Sequence, residues 1–345
     1  MDMLSLKTGF DNLFRKPELN WGILGTARIA ETAVPAIRAN KNNRVLAIAS
    51  RDLTRGRQFA DKAAIPVAYG SYEELLADPS VQAVYIPLPN SEHKDWTIKA
   101  LQAGKHVLVE KPFALDSEDA QAMVDAASET GLVLMESFNY RYHSRTLKAL
   151  EILNKEEIGK LRFVDISFSF PLENPDDFRL VPELGGGALY DLGCYCIDFM
   201  RLMVRREPEA VQAHAHMSGS GVDLQLSVFL DFGNQIYGNF DVAFNAAMQS
   251  SARIVGTEAV MTLDFPVTGY NRNVSLLLEK NHDSQKTSYR PEDSWAKMTD
   301  HFYQLAIKKD LPRYQIADSV KNLAVIDAIF QSVIEDGKLI RLTKF

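Results

Sequence analysis

Residues Trp21 to Ile37 read WGILGTARIAETAVPAI. Trp21 to Leu24 is a short strand candidate with Gly25 at its end, and a helix opens at about Arg28. A G-x-G-x-x-G turn in that place lets backbone approach a pyrophosphate, which sits on amide donors at the helix N-terminus. Here the turn is Gly25-Thr26-Ala27-Arg28-Ile29-Ala30, with alanine at the second and third glycine places. Alanine at the third keeps helix and strand close, and alanine at the second narrows the approach without closing it. The turn alone is a weak signal, and an ordinary strand-to-helix turn fits it as well.

The same texture continues. Val45 to Ala49, Ala83 to Ile86, His106 to Val109 and Leu132 to Met135 are further strand candidates, with helical stretches such as Ser91 to Ala103 and Ser117 to Glu129 between them. That alternation predicts βαβ units, a parallel sheet and helices on both faces, over 19–140. After Arg141 a helix at Ser144 to Asn154 leads to a strand at Leu161 to Phe170, a Gly-Gly-Gly turn and a helix from about Ala188 to Met203. Val211 to His216, Leu224 to Phe232, Gln235 to Ala243, Ala252 to Val255, Val260 to Phe265 and Val274 to Leu278 follow as consecutive strands, and two helices, Glu292 to Lys308 and Ala317 to Glu335, close the chain. The reading is a second, α+β domain over 141–345 with a large, mostly antiparallel open sheet, whose final helices are free to pack back on the first domain. Residues 1–18 read as a tail or an arm on a partner subunit.

Composition narrows the function. The 345 residues carry a net charge of −7, without the basic face a nucleic-acid partner needs. No eighteen-residue apolar span and no signal-peptide pattern is seen, so neither membrane nor export is expected, and the protein is read as cytoplasmic. Cys194 and Cys196 are one residue apart, unsuited to a disulfide, and read as core thiols of a reducing compartment. His214 and His216 share a strand face but lack a third ligand, so no metal is expected.

The end of the second strand selects the cofactor. An acidic residue there grips the ribose of NAD, whereas this chain has Ser50-Arg51 and only then Asp52. A hydroxyl and a guanidinium suit a ribose 2′-phosphate, so NADP is expected, with NAD possible. The loop Ile86-Pro87-Leu88-Pro89-Asn90-Ser91-Glu92-His93 lies at the carboxyl edge of the sheet, where open α/β sheets bind ligands. Gly25, Thr26, Ala27, Arg28, Ile29, Ser50, Arg51, Leu88, Asn90 and His93 are therefore cofactor candidates.

YIPLPNSEH at 85–93, AGKHVLVEKPFAL at 103–115 and GGGALYDLGCYCID at 185–198 together resemble the glucose-fructose oxidoreductase and inositol dehydrogenase (Gfo/Idh/MocA) family. The likeness runs from about Asn20 to the final helices. It implies a Rossmann domain for the first half, with Glu110 and Lys111 of the EKP element beside the nicotinamide and the lysine pointing into the active site. Tyrosine at 195, where many members carry histidine, and MESFNYRYHSRT at 135–146 are similar to the glucose-fructose oxidoreductase, NADP-dependent xylose dehydrogenase and trans-dihydrodiol dehydrogenase branch. That branch implies a sugar or cyclic polyol substrate, and places Arg141, His143 and Arg179 as candidates near it.

The residues agree chemically. Asp191 and Tyr195 stand at i and i+4 on one helix face. Hydride removal from a carbinol needs a base for the hydroxyl proton, and Lys111 is expected to stabilise a Tyr195 phenolate while Asp191 holds the lysine or the substrate hydroxyl. Catalytic Lys111, Asp191 and Tyr195 thus define an NADP-dependent oxidoreductase of CH–OH groups, against two rivals: a dinucleotide- or sugar-sensing regulator, and a carbonyl or enamine reductase. A wet apolar face of the second sheet, carrying Val228, Leu230, Ile236 and Phe240, predicts a homodimer through that sheet.

Overall fold

The computed structural model describes residues 18–343. All but the last residue of the expected tail or arm, 1–18, lies outside the described residues.

Six strands, β1 (Leu19–Leu24), β2 (Asn43–Ala49), β3 (Val67–Tyr69), β4 (Ala83–Ile86), β5 (His106–Val109) and β6 (Leu134–Glu136), form a parallel sheet in the order β3-β2-β1-β4-β5-β6. Between them run α1 (Ala30–Ala39), α2 (Leu53–Ala63), α3 (Tyr72–Ala77), α4 (His93–Gln102) and α5 (Ser117–Thr130). Strand order reverses between β1 and β4, the switch point at which doubly wound sheets bind ligands. β1, β4 and β5 bury almost every side chain on both faces, as parallel strands under two helical layers must. The helices start where a short polar side chain accepts free amide protons. Asp52 accepts from Thr54 and Arg55, and Asp116 from Asp119, while Gly131 closes α5 at φ +66°.

The remainder comprises α6 (Ser144–Asn154), β7 (Leu161–Ser169), α7 (Cys194–Val204), β8 (Ala210–Met217), β9 (Asp223–Asp231), β10 (Tyr237–Ala243), β11 (Gln249–Gly256), β12 (Ala259–Asp264), β13 (Val274–Lys280), β14 (Asp283–Tyr289), α8 (Ser294–Lys308), α9 (Ala317–Ile334) and β15 (Ile340–Arg341). Its nine strands are ordered β14-β13-β12-β11-β7-β10-β9-β8-β15, and only β7 and β10 pair in parallel among the described residues. Helices α7 and α9 lie on the inner face, against β7 and β8 respectively. Helix α8 returns to the first sheet, where Trp295, Met298 and Phe302 join Trp21 and Tyr85 in one core, with the Trp21 and Phe302 ring centroids 4.6 Å apart.

The face expected to make a dimer contact is covered by helices. Val228, Leu230 and Phe240 are 4%, 0% and 1% exposed, because their alternation points them inward, at α7 and its neighbours, and Ile236 sits in the turn before β10. The outer face carries polar side chains around a different patch, in which the rings of Phe163 and Phe229 flank Tyr237 at 6.4 and 5.7 Å.

Candidate active site

The apolar strand β5 ends at Val109, and the chain then carries Glu110 and Lys111 past the carboxyl edge of the sheet. Glu110 is buried and Oε1 accepts from the Tyr85 hydroxyl of neighbouring β4 at 2.7 Å, which ties the two strand ends together. Burial pushes its carboxyl up from the usual range, against the pull of that hydroxyl and of Lys111. Tyr85 gives no sign of this role in the sequence, where it reads as one more apolar strand residue.

Lys111 reaches across to the second half of the molecule. Its Nζ donates to Asp191 Oδ1 at 2.7 Å and to the Asp191 backbone carbonyl at 2.8 Å. The nitrogen also lies 4.8 Å from the Tyr195 ring centroid. Asp191 sits in a π-helical turn, Leu189–Gly193, that runs into α7. Its other oxygen, Oδ2, accepts from Arg179 Nε at 2.7 Å, so the carboxylate lies between two cations. Burial opposes its ionisation, but Lys111 and Arg179 outweigh that and hold it at about 2. For Lys111 burial works against the ammonium, and the Asp191 carboxylate more than restores it, leaving the lysine firmly charged.

Tyr195 is half-buried among aromatic rings, with the Phe138 and Phe168 centroids at 5.4 and 6.4 Å, and its hydroxyl donates to no described residue. The expected lowering by Lys111 is present but loses: burial raises the phenol well above its ordinary range. A protonated Tyr195 is therefore the resting form.

A buried carboxylate invisible in the sequence pattern holds this helix from the other side. Asp223, at the start of β9, accepts from the Leu189 amide at 2.7 Å, and a Cβ on Gly187, whose φ is +122°, would fall 2.2 Å from Asp223 Oδ1. Only glycine allows that approach with that backbone.

The dinucleotide end of the cleft fits its expected occupant. Gly25 has φ +103°, and a Cβ there would fall 2.9 Å from Leu88 Cδ2. Thr26 and Ala27 are half-buried, Arg28 is exposed, and α1 begins at Ala30 after Ile29. Arg51 projects from the end of β2, 73% exposed, with Glu92 Oε1 at 3.4 Å. Asp52 is committed to capping α2, and Ser50 Oγ accepts from the Asp52 amide. The strand end thus offers donors to a phosphate instead of a free carboxylate to a ribose, which fits NADP.

The remaining candidates are placed as structural links. Both ring nitrogens of His93 face carbonyls, Pro112 O at 2.8 Å and Leu88 O at 2.9 Å, joining the 87–92 loop to the EKP loop. Burial takes its imidazole down to about 4 against the pull of both carbonyls, so the ring is neutral and donates its one N–H to one of the two. Asn90 Nδ2 donates to Gly185 O at 2.7 Å, a link between the two sheets' loops. Arg141 and His143 are not brought to the lysine. Arg141 is buried against Asp198 and Asp318 beneath the Tyr314 ring, and His143 caps α6 by accepting from the Arg145 amide. His214 and His216 lie on the exposed face of β8, and no group of three or more potential metal ligands occurs among the described residues.

Comparison with known proteins follows the same division. Residues 19–138 match the model of an oxidoreductase family with an NAD-binding Rossmann fold, and residues 146–262 that of a GFO/IDH/MocA C-terminal domain. The chain is similar to D-xylose 1-dehydrogenase (NADP(+)) 2 of Haloferax volcanii, with 34% identity over 93% of this chain and 99% of that one. It is also similar to trans-1,2-dihydrobenzene-1,2-diol dehydrogenase of Xenopus laevis, with 29% identity over 91% and 97%. Among solved structures, a 3-ketoreductase from Actinomadura kijaniata in complex with NADP and TDP-benzene superposes with a TM-score of 0.87, 29% identity, and coverage of 92% of this chain and 98% of that one. The aldose-aldose oxidoreductase from Caulobacter crescentus complexed with glycerol gives 0.87, 26%, and 94% and 100%.

Proposed function

The chain belongs to the Gfo/Idh/MocA oxidoreductases, and on that premise we propose that it moves hydride between NADP and a carbinol carbon of a sugar or cyclic polyol, with Tyr195 as the proton-transfer residue. One observation carries the reading: Lys111, anchored on Asp191, places a permanent cation 4.8 Å from the ring of a tyrosine whose hydroxyl has no partner among the described residues. NADP, when bound, supplies the hydride acceptor or donor at its nicotinamide ring.

The protein's own part is acid–base chemistry and placement. In the oxidative direction the carbinol O–H proton passes to the Tyr195 oxygen, which must first be ionised; Lys111 favours that form and burial opposes it. In the reductive direction the phenol is already in the donating form and protonates the carbonyl oxygen as hydride arrives. Carbonyl reduction is thus the second reading, favoured by the raised Tyr195. Oxidation should gain more than reduction from a rise in pH.

Two finer assignments accompany this. We place a second copy of the chain on the outer sheet face, over the partly exposed patch of Phe163, Phe229 and Tyr237, which continues into Val255 and Val260. A cytoplasmic setting is supported by Cys194 and Cys196, both buried free thiols. No described helix is long and apolar enough to cross a membrane.

The test is the absorbance of reduced nicotinamide with NADP or NAD and a panel of aldopyranoses and cyclic diols, in both directions. Turnover with NADP preferred over NAD is expected. Cofactor binding without turnover on every substrate would point to the sensing regulator instead.

A further inference from the structure

Arg179 sits in a single turn, Phe178–Leu180, on the segment between β7 and the triple glycine, with its side chain 30% exposed. Its Nε donates to Asp191 Oδ2 at 2.7 Å, and Nη1 lies 3.2 Å from Oδ1 of Asp177, the residue that caps the turn two positions earlier. The backbone is fastened with equal care. Gly187 N–H donates to Arg179 O at 2.9 Å and Gly186 N–H to Val181 O at 3.1 Å. A Cβ on Gly186 would stand 2.5 Å from Arg179 O and 2.8 Å from Val181 O, both backbone atoms that cannot swing away. The triple glycine therefore does more than free the entry to a helix. It lets the 178–181 turn lie flat on the residues that lead to Asp191, within reach of that carboxylate.

We propose that Arg179 is a positioning residue acting through Asp191: it fixes the carboxylate on which the Lys111 ammonium is seated, and its guanidinium is not a substrate ligand. This rests on the role given above to Lys111 and Tyr195. The geometry is a relay of four alternating charges, Asp177, Arg179, Asp191 and Lys111, with Lys111 the member that faces Tyr195. A carboxylate held at one oxygen alone can pivot about its side-chain torsions; held at Oδ2 by a guanidinium it presents Oδ1 in one place. Lys111 then spends two of its three N–H donors on Asp191, and the third hydrogen-bonds to no described residue while the ammonium lies over the Tyr195 ring.

The charged and titratable groups around Asp191 are Lys111 from the β5 edge, Arg179 from the 178–180 turn, and Cys194 and Tyr195 on its own helix. Loss of Arg179 removes one of the two cations that keep Asp191 ionised. The experiment compares Arg179→Met, Arg179→Lys and the parent enzyme by steady-state kinetics across pH. A carboxyl carbon-13 titration of Asp191, assigned with Asp191→Asn, runs alongside it, and circular dichroism checks the fold at each pH. Arg179→Met should lower kcat roughly thirtyfold with the KM for sugar changed less than about threefold, and should move the acid limb upward by about one unit. Arg179→Lys, or added ethylguanidinium on the Met variant, should restore much of kcat. A raised KM at unchanged kcat would overturn the proposal in favour of a substrate contact. An Asp191 titration identical in parent and Met variant would overturn it whether or not any sugar turns over. Absence of parental turnover on the whole panel, with the Asp191 titration still shifted, would remove the catalytic reading and leave the positioning intact.

Discussion

Lys111 and Asp191, eighty residues apart, meet through two hydrogen bonds from one ammonium, at 2.7 Å to the carboxylate and 2.8 Å to the backbone carbonyl. The first residue lies just past a strand of the parallel sheet and the second in the turn that leads into α7 under the antiparallel one, so the contact joins the halves of the molecule at the proposed site. Coulomb attraction alone would hold such a pair loosely in water; with side chains only 14% exposed, screening is weak and the geometry is fixed.

Tyr195→Phe and Lys111→Met should each reduce turnover by about a hundredfold or more, the scale of lost general acid–base help. The double variant should be little slower than either single one, because residues that act as a unit fail together. NADPH affinity, read by fluorescence titration, should barely change for Tyr195→Phe. Parental rates in that variant on every substrate would send the proton by another route.

Arg51→Asp should turn cofactor preference from NADP toward NAD, since a carboxylate repels a 2′-phosphate and accepts from a 2′-hydroxyl. Arg51 is 73% exposed, with Glu92 Oε1 at 3.4 Å and the Tyr72 side chain beside it, so folding should be little affected. The ratio of kcat/KM for the two cofactors is the measurement, and an unchanged ratio would remove Arg51 from the site.

Asp223 makes stability depend on pH. Burial pushes its carboxyl up to about 7, against about 3.9 for an unfolded aspartate, so the folded state holds the proton more tightly. Its contribution is complete below about pH 4 and is lost as pH rises through about 7. Asp223→Asn keeps an acceptor for the Leu189 amide and cannot ionise. Its melting temperature should therefore fall less than the parent's between pH 5 and 8 by scanning fluorimetry, and parallel slopes would count against the assignment.

Association should respond to the outer sheet face. Phe163→Glu or Tyr237→Glu should shift the protein toward monomer by light scattering while the fold is retained, because these rings face solvent in the single chain. Phe240→Asp, by contrast, buries a charge in a position only 1% exposed and should unfold the protein instead of splitting it.

The layout of the two halves was legible because burial leaves a period in the chain. Strands such as Val107 to Val109 are apolar on both faces, and those of the second half alternate. The elements that leave no such period in the sequence are short or polar. β3 is three residues long and half-buried, and β14, DSQKTSY, is an edge strand exposed along most of its length. Which face of the second sheet was wet could not be read from alternation alone. Period two separates the faces but does not say which one the helices cover, and Val228, Leu230 and Phe240 proved to be the covered set.

The sequence by itself determined the chemistry available at the site: a glycine turn after the first strand, Ser50 and Arg51 where an acid would select NAD, a lysine beyond a buried strand, and an aspartate and tyrosine one helical turn apart. These are local facts, fixed by residue type and spacing. Only the tertiary structure decided how the charges are shared. Arg179 and Arg141 are alike as sequence, yet one closes on Asp191 beside Lys111 and the other is spent on Asp198 and Asp318, 57 and 177 positions away. Likewise the balance on Tyr195 follows from its surroundings. The Lys111 cation lowers the phenol and the Phe138 and Phe168 rings that exclude water raise it, and the exclusion wins. Electrostatic energy depends on distance and on solvent access, and both are set by residues far apart in the chain that folding brings together.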